Sequence, residues 1–178
     1  MQSTVLEMLQ NLEFGPAQTH GGVTVLPILG SSSGSGPKYL TLGEALAGGA
    51  LTVSEVSEAG SVPKLSVRND ADQPVLLLDG EELLGAKQNR VVNTTILLKT
   101  KRTTVIPVSC TEEGRWNYKT ARFEDSEVVM YHKARALKSR SVSASLKQGR
   151  DFASNQREVW EAVRNMHAEV GTASPTGA

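Results

Sequence analysis

Apolar residues change their spacing along this chain, and the spacing predicts most of its elements. Near the start, Val5, Leu6, Leu9 and Leu12 share one stripe of a helix over residues 3–14, with Ser3 placed to cap it and Gly15-Pro16 to stop it. GVTVLPIL (residues 22–29) reads as a strand that Pro27 confines to an edge or a bulge. The composition of GSSSGSGPK (30–38) is that of a flexible loop. A short helix over 41–47 ends at Gly48-Gly49, and strands follow over 50–57, 64–68, 74–78, 91–98 and 103–110. Between them stand the turn signals Asn69-Asp70 and Asp79-Gly80 and the polar stretch 99–102.

The C-terminal third has helical spacing instead. Met130, Ala134, Leu137 and Val142 pattern a helix over 129–146 that Gly149 ends. Ser154 is placed to cap a second helix with Val159, Trp160, Val163, His167 and Val170 on one side, stopped by Gly171. Residues 172–178 are small and polar and are expected to be a disordered tail. Strands first and helices last favour an α+β class over a doubly wound one. The expected architecture is a β-rich sheet, a sandwich or a partly closed barrel, with a short N-terminal helix and two C-terminal helices. We expect one domain over 1–178, β-rich over 20–118 and helical over 126–171.

Composition narrows the function classes. With 19 basic and 19 acidic residues the formal net charge is zero, so there is no strong nucleic-acid signal. Aromatics are only 4%, so Val, Leu, Ile and Ala must build the core. The single cysteine, Cys110, cannot form an internal disulfide, which suits a reducing compartment. No apolar run approaches the roughly 20 residues that span a bilayer, and no basic-then-apolar leader is visible. The expected location is cytoplasmic, away from membranes.

Candidate chemistry gathers in two segments. DGEELLGAKQNR (79–90) follows a strand, and Asp79-Gly80 explains itself as a tight turn. Glu81, Glu82, Lys87, Gln88, Asn89 and Arg90 exceed what a solvated hairpin tip needs. Carboxylates beside arginine and amides suit polar-ligand binding or acid–base work. The second segment, SCTEEGRWNY (109–118), holds Cys110, Glu112, Glu113, Arg115 and Trp116. Cys110 could be a nucleophile beside a cation, but a lone cysteine at a strand end is more often a small buried apolar group. Trp116 is either core or a stacking platform.

Other signals fail or are weak. In the Gly/Ser loop, Ser35 stands where a phosphate loop needs its second glycine, and Tyr39 stands where it needs Ser or Thr. No His/Cys spacing fits zinc; Glu81, Glu82, Glu112 and Glu113 could hold Mg²⁺ or Mn²⁺ only if the fold brought them together. Lys133, Arg135, Lys138, Arg140, Lys147 and Arg150 read as a solvated helix face.

The stretches LLLDGEELLGAKQNRVVNTTILL (76–98) and VIPVSCTEEGRWNY (105–118) resemble a domain family named for its association with ADP-ribosylglycohydrolases and rhodanese-phosphatase superfamily proteins. Weaker similarity covers LGEALAGGALTVSEV (42–56), REVWEAV (157–163) and SPTGA (174–178). Carried over, the family's polar pattern falls on Gly80, Glu81, Gly85, Gln88, Asn89 and Arg90, and on Cys110, Glu112, Arg115 and Trp116. The resemblance implies a neighbourhood in NAD or ADP-ribose metabolism without fixing a reaction. Relatives are expected to run on past SPTGA.

Three readings follow. In the leading one the chain is a binding module. Gln88, Asn89, Arg90, Arg115 and Trp116 contact a polar ligand carrying phosphate or ribose, with Glu81 and Glu112 converging on the same place. In the second it is a hydrolase or transferase for such a nucleotide, with Glu81 or Glu112 as general base, a divalent metal optional, and Arg90 stabilising charge. In the third the polar clusters are internal networks of a structural domain, and the helical third, with Trp160, serves a homo-oligomer. No cofactor is specified.

Overall fold

The computed structural model describes residues 6, 7, 9–30 and 38–174. The chain divides into two compact units, residues 1–38 and 39–178. In the first, Leu6, Glu7, Leu9 and Gln10 are helical, but the helix does not run on to Phe14 as its stripe predicted. Leu12–Phe14 is strand β1, paired antiparallel with β4 (Ile28–Gly30). Between them β2 (Gln18–His20) pairs with β3 (Val23–Val25) across Gly21 and Gly22, both at positive φ. The predicted strand over 22–29 is therefore two strands, broken where Pro27 cannot donate. The proposed caps and loop at Ser3 and 31–37 lie outside the described residues, as does 175–178 of the tail.

The second unit carries the candidate chemistry. Its main sheet has six antiparallel strands in the order β13-β9-β10-β12-β7-β6: β6 (Leu51–Glu55), β7 (Lys64–Asn69), β9 (Glu81–Gly85), β10 (Arg90–Val92), β12 (Arg102–Cys110) and β13 (Phe123–Val129). The sheet curls into a half-barrel. A second sheet joins β5 (Leu40–Thr41), β8 (Val75–Leu77) and β11 (Ile96–Leu98), with β5 parallel to β8. Helix α1 (Leu42–Ala47) starts at Thr41, whose side chain accepts from the Glu44 amide while the Glu44 carboxylate accepts from the Thr41 amide. Helices α2 (His132–Lys147) and α3 (Gln156–Val170) close the chain. This is the mixed, β-rich architecture with two C-terminal helices that the order of patterns predicted.

Burial follows the strand period of two. Leu51 and Val53 in β6, Leu65 and Val67 in β7, Leu83 in β9, Val92 in β10, and Ile106 and Val108 in β12 form the core, with Leu42, Ala45 and Phe123. The opposite face of β10 buries Val91, and α2 and α3 bury Ala134, Val142, Val159, Ala162 and Val163.

Some boundaries differ from the pattern. The apolar run 91–98 breaks at Asn93-Thr94-Thr95, because Asn93 turns its amide to Phe152 O (3.0 Å) and β11 leaves for the second sheet. Strand β13 was not predicted; its acidic residues and a register shift between Asp125 and Val129, with Glu127 at φ 58°, hide the alternation. Since β13 takes Val128 and Val129, α2 begins later than the pattern placed it. The cap of α3 is Asn155, which accepts from the Arg157 amide at 3.2 Å, whereas Ser154 instead bonds Ser109. Gly171 ends α3 at φ 72° as expected.

Candidate functional site

Strand pairing brings the two polar segments together. Arg90 lies opposite Cys110 across β10 and β12, and opposite Leu83 across β10 and β9. It therefore shares a face with Leu83, Val92 and Val108, all core residues. Glu55 follows Leu51 and Val53 on the same inward face of β6. The apolar core thus ends in an ion pair: the Arg90 guanidinium stands 3.5 Å from the Glu55 carboxylate, with side chains 0% and 4% exposed.

The pair is incompletely satisfied. Arg90 Nη1 donates to Gln88 Oε1 (2.9 Å) and to Cys110 Sγ. Among the described residues, Arg90 Nε and Nη2 and both Glu55 carboxylate oxygens are buried without a hydrogen-bond partner. Above them lies Trp116, 42% exposed, with its ring centroid 5.5 Å from the Arg90 guanidinium carbon. Lys87 Nζ sits 5.4 Å from the same ring and 5.0 Å from that of Tyr118, and donates to Ala59 O at 2.8 Å. A Cβ added at Gly60 would stand 3.3 Å from a Glu55 oxygen and 3.4 Å from the Trp116 ring, so the turn holding Gly60 closes the same end.

Behind the pair a second network is fully made. Glu112 accepts from the Asn89 amide (2.7 Å) and from Arg115 Nε and Nη2. Arg115 also donates to Ala86 O (2.7 Å), Asn117 O (3.0 Å) and Asn89 Oδ1 (3.1 Å). Gln88 Nε2 donates to Glu112 O at 2.9 Å. Arg115 and Glu112 thereby bind the tight turn between β9 and β10 to the loop after β12, which fixes Gln88 beside Arg90.

Burial pushes the Cys110 thiol up to about 11; Arg90 opposes this, and Glu55 and Glu112 add to it. Among the described residues no group of three or more His, Cys, Asp or Glu is arranged to hold a metal ion, and no helix is long and apolar enough to cross a membrane.

The model of the ARG and Rhodanese-Phosphatase-superfamily-associated Protein domain, ARPP-1, matches residues 11–178. The chain belongs to that family. No curated protein and no solved structure matches it. The family's name links the ARPP-1 domain to proteins associated with ADP-ribosylglycohydrolases and the rhodanese-phosphatase superfamily.

Within this ARPP-1 domain, the residues proposed from sequence occupy three different places. Gln88, Arg90 and Trp116 meet at the capped end of the half-barrel. Asn89, Glu112 and Arg115 form the network behind it. Glu81 belongs to neither; its carboxylate accepts from the Leu78 amide at 2.8 Å, at the start of β9, and burial raises its pKa. Glu55 was missed by sequence reasoning. Its signal was an acid at the third inward position of a strand whose first two are core residues. Lys87 and Tyr118 lie in the two polar segments, but only the fold reveals that the Lys87 ammonium sits over both the Trp116 and the Tyr118 rings.

Proposed function

We propose that this ARPP-1 domain is a binding module for a small polar ligand carrying phosphate or ribose, seated under Trp116 at the end of the half-barrel. The observation that carries the reading is the Glu55–Arg90 pair. Removing a carboxylate and a guanidinium from water costs several kcal/mol per ion, to order of magnitude, unless hydrogen bonds replace the lost hydration. Here two guanidinium nitrogens and both carboxylate oxygens have none. Such an arrangement suits a guest that supplies an acceptor to Arg90 and hydroxyl donors to Glu55, as an oxygen-rich phosphorylated sugar does. Gln88 and Cys110 hold the other guanidinium nitrogen in place, and Glu112 and Arg115 position Gln88. Arg90 and Glu55 are closed off from solvent, so the guest enters by swinging out Trp116, whose ring then stacks on it.

The test is calorimetry of the full chain with ADP-ribose, NAD and a nucleotide panel. Binding by the wild type should fall at least about 10-fold in Arg90→Ala and Glu55→Gln, and less in Trp116→Ala. Absence of binding across the panel, or binding indifferent to all three changes, would overturn the proposal.

Catalysis finds less support. The Glu112 carboxylate accepts from three nitrogen donors, which disfavours a proton-accepting role, and Glu81 caps a turn.

A further inference from the structure

A half-open pocket of about 230 Å³ lies outside the half-barrel between the outer face of β9 and β10 and helix α3. Val91, Val129, Val163 and Met166 are among its walls, and its polar lining residues are Glu82, Thr111 and Tyr131. Two of these have their protons committed: Thr111 Oγ1 donates to Glu82 Oε1 at 2.8 Å, and Tyr131 Oη donates to Ala162 O at 3.0 Å. The Glu82 carboxylate accepts that one bond and, among the described residues, makes no ion pair. Among the described residues, no lysine, arginine or histidine lines the space.

A largely apolar pocket with one carboxylate, and no cation of its own, complements a molecule that is apolar with one positive end. The volume is below the 300–1,000 Å³ usual for drug-sized ligands, so the guest is small. We infer that this cavity binds a small hydrophobic ammonium ion, a short branched alkylammonium, with Glu82 as its counter-ion. The carboxyl is raised chiefly by burial, with the Glu112 charge adding to it against the Thr111 hydrogen bond. An ammonium seated beside Glu82 would favour its ionised form, against the burial that disfavours it. The site is independent of the Glu55–Arg90 pair, which faces the opposite side of the sheet.

The test titrates the full chain with 3-methylbutylammonium and, as the neutral isostere, 3-methylbutanol, following methyl NMR shifts of Val163 and Met166. Saturable ammonium binding is expected with Kd of about 1 mM or tighter, and weaker binding by the alcohol. Glu82→Gln should weaken ammonium binding about 10-fold or more, and Met166→Trp, which fills the space from a partly buried position, should abolish it. No saturable binding, equal affinity for the alcohol, or undiminished binding in Met166→Trp or in folded Glu82→Gln would overturn the assignment.

Discussion

Arg90 and Glu55 face each other at 3.5 Å inside the half-barrel, on strands that are not neighbours in the sheet. Between β10 and β6 run β12 and β7, so only the curl of the sheet brings the two side chains together. The pair crowns a face that is otherwise apolar, where a folded protein gains nothing from an ion pair that hydrophobic residues could not supply.

That reasoning predicts an asymmetry. Arg90→Met leaves the Glu55 carboxylate buried without a counter-charge and should cost about 3–5 kcal/mol of unfolding free energy. Glu55→Met with Arg90→Met should restore most of it, bringing the ligand-free protein near wild-type stability or above. Urea denaturation of the two singles and the double measures this. A double variant as unstable as Arg90→Met alone would make the pair a structural strut.

The Cys110 thiol, raised to about 11, stays neutral at physiological pH, so it should react with iodoacetamide far more slowly than an unfolded thiol. Linkage gives a second readout. The folded pKa lies above the unfolded one, so its contribution to stability is present below about pH 8.5 and disappears as pH rises through 11. Unfolding free energy should decline between about pH 9 and 11 by on the order of 2 kcal/mol more in the wild type than in Cys110→Ala. Parallel pH profiles, or rapid alkylation of the folded chain, would contradict it.

Much of this site could be read from sequence because its parts sit in two segments joined by one strand pair. Gln88, Arg90 and Trp116 are close in space because β10 pairs directly with β12. Glu55 escaped because its partner is contributed by sheet curvature, a property of the whole domain that no local pattern encodes. Lys138 was misread for a related reason. By composition it belongs to a basic, solvated helix face, yet it is buried, since the helix turns that position toward the β10–β11 junction. Strands with clean alternation, such as β6, β7 and β12, emerged near their true bounds, whereas acidic, bulged β13 did not.

Lys138 should behave as a clamp between helix and sheet. Its ammonium donates to Asp79, to Val92 O (3.0 Å) and to Asn93 O (3.2 Å), using all three protons, while Ser139 Oγ donates to the other Asp79 oxygen at 3.0 Å. Burial pulls the amine's pKa down against the opposing pull of Asp79. Lys138→Met removes a cation and leaves two carbonyls unmet. The expected loss is about 2–4 kcal/mol, at the low side for a buried pair because Asp79 is partly exposed and keeps Ser139. A loss below about 0.5 kcal/mol in chemical denaturation would show that α2 docks without the clamp.

Gly85 should be the least replaceable glycine beside the candidate site. It ends β9 at φ 128°, which L side chains rarely adopt, and a Cβ there would stand 2.7 Å from Arg122 O and 2.6 Å from Thr120 Oγ1. Its carbonyl and that of Ala86 face the Arg115 guanidinium, at 3.5 and 2.7 Å. Relief of the clash by backbone movement would therefore loosen the network that fixes Gln88 beside Arg90. Gly85→Ala should cost at least about 2–3 kcal/mol, combining strain with the clash. Gly49→Ala is the control. Its φ is 66°, and nothing stands within 4 Å of the added Cβ, so it should cost only about 1 kcal/mol. Equal losses for the two substitutions in urea denaturation would mean that backbone conformation alone, and not the contact with Arg122, sets the requirement for glycine at position 85.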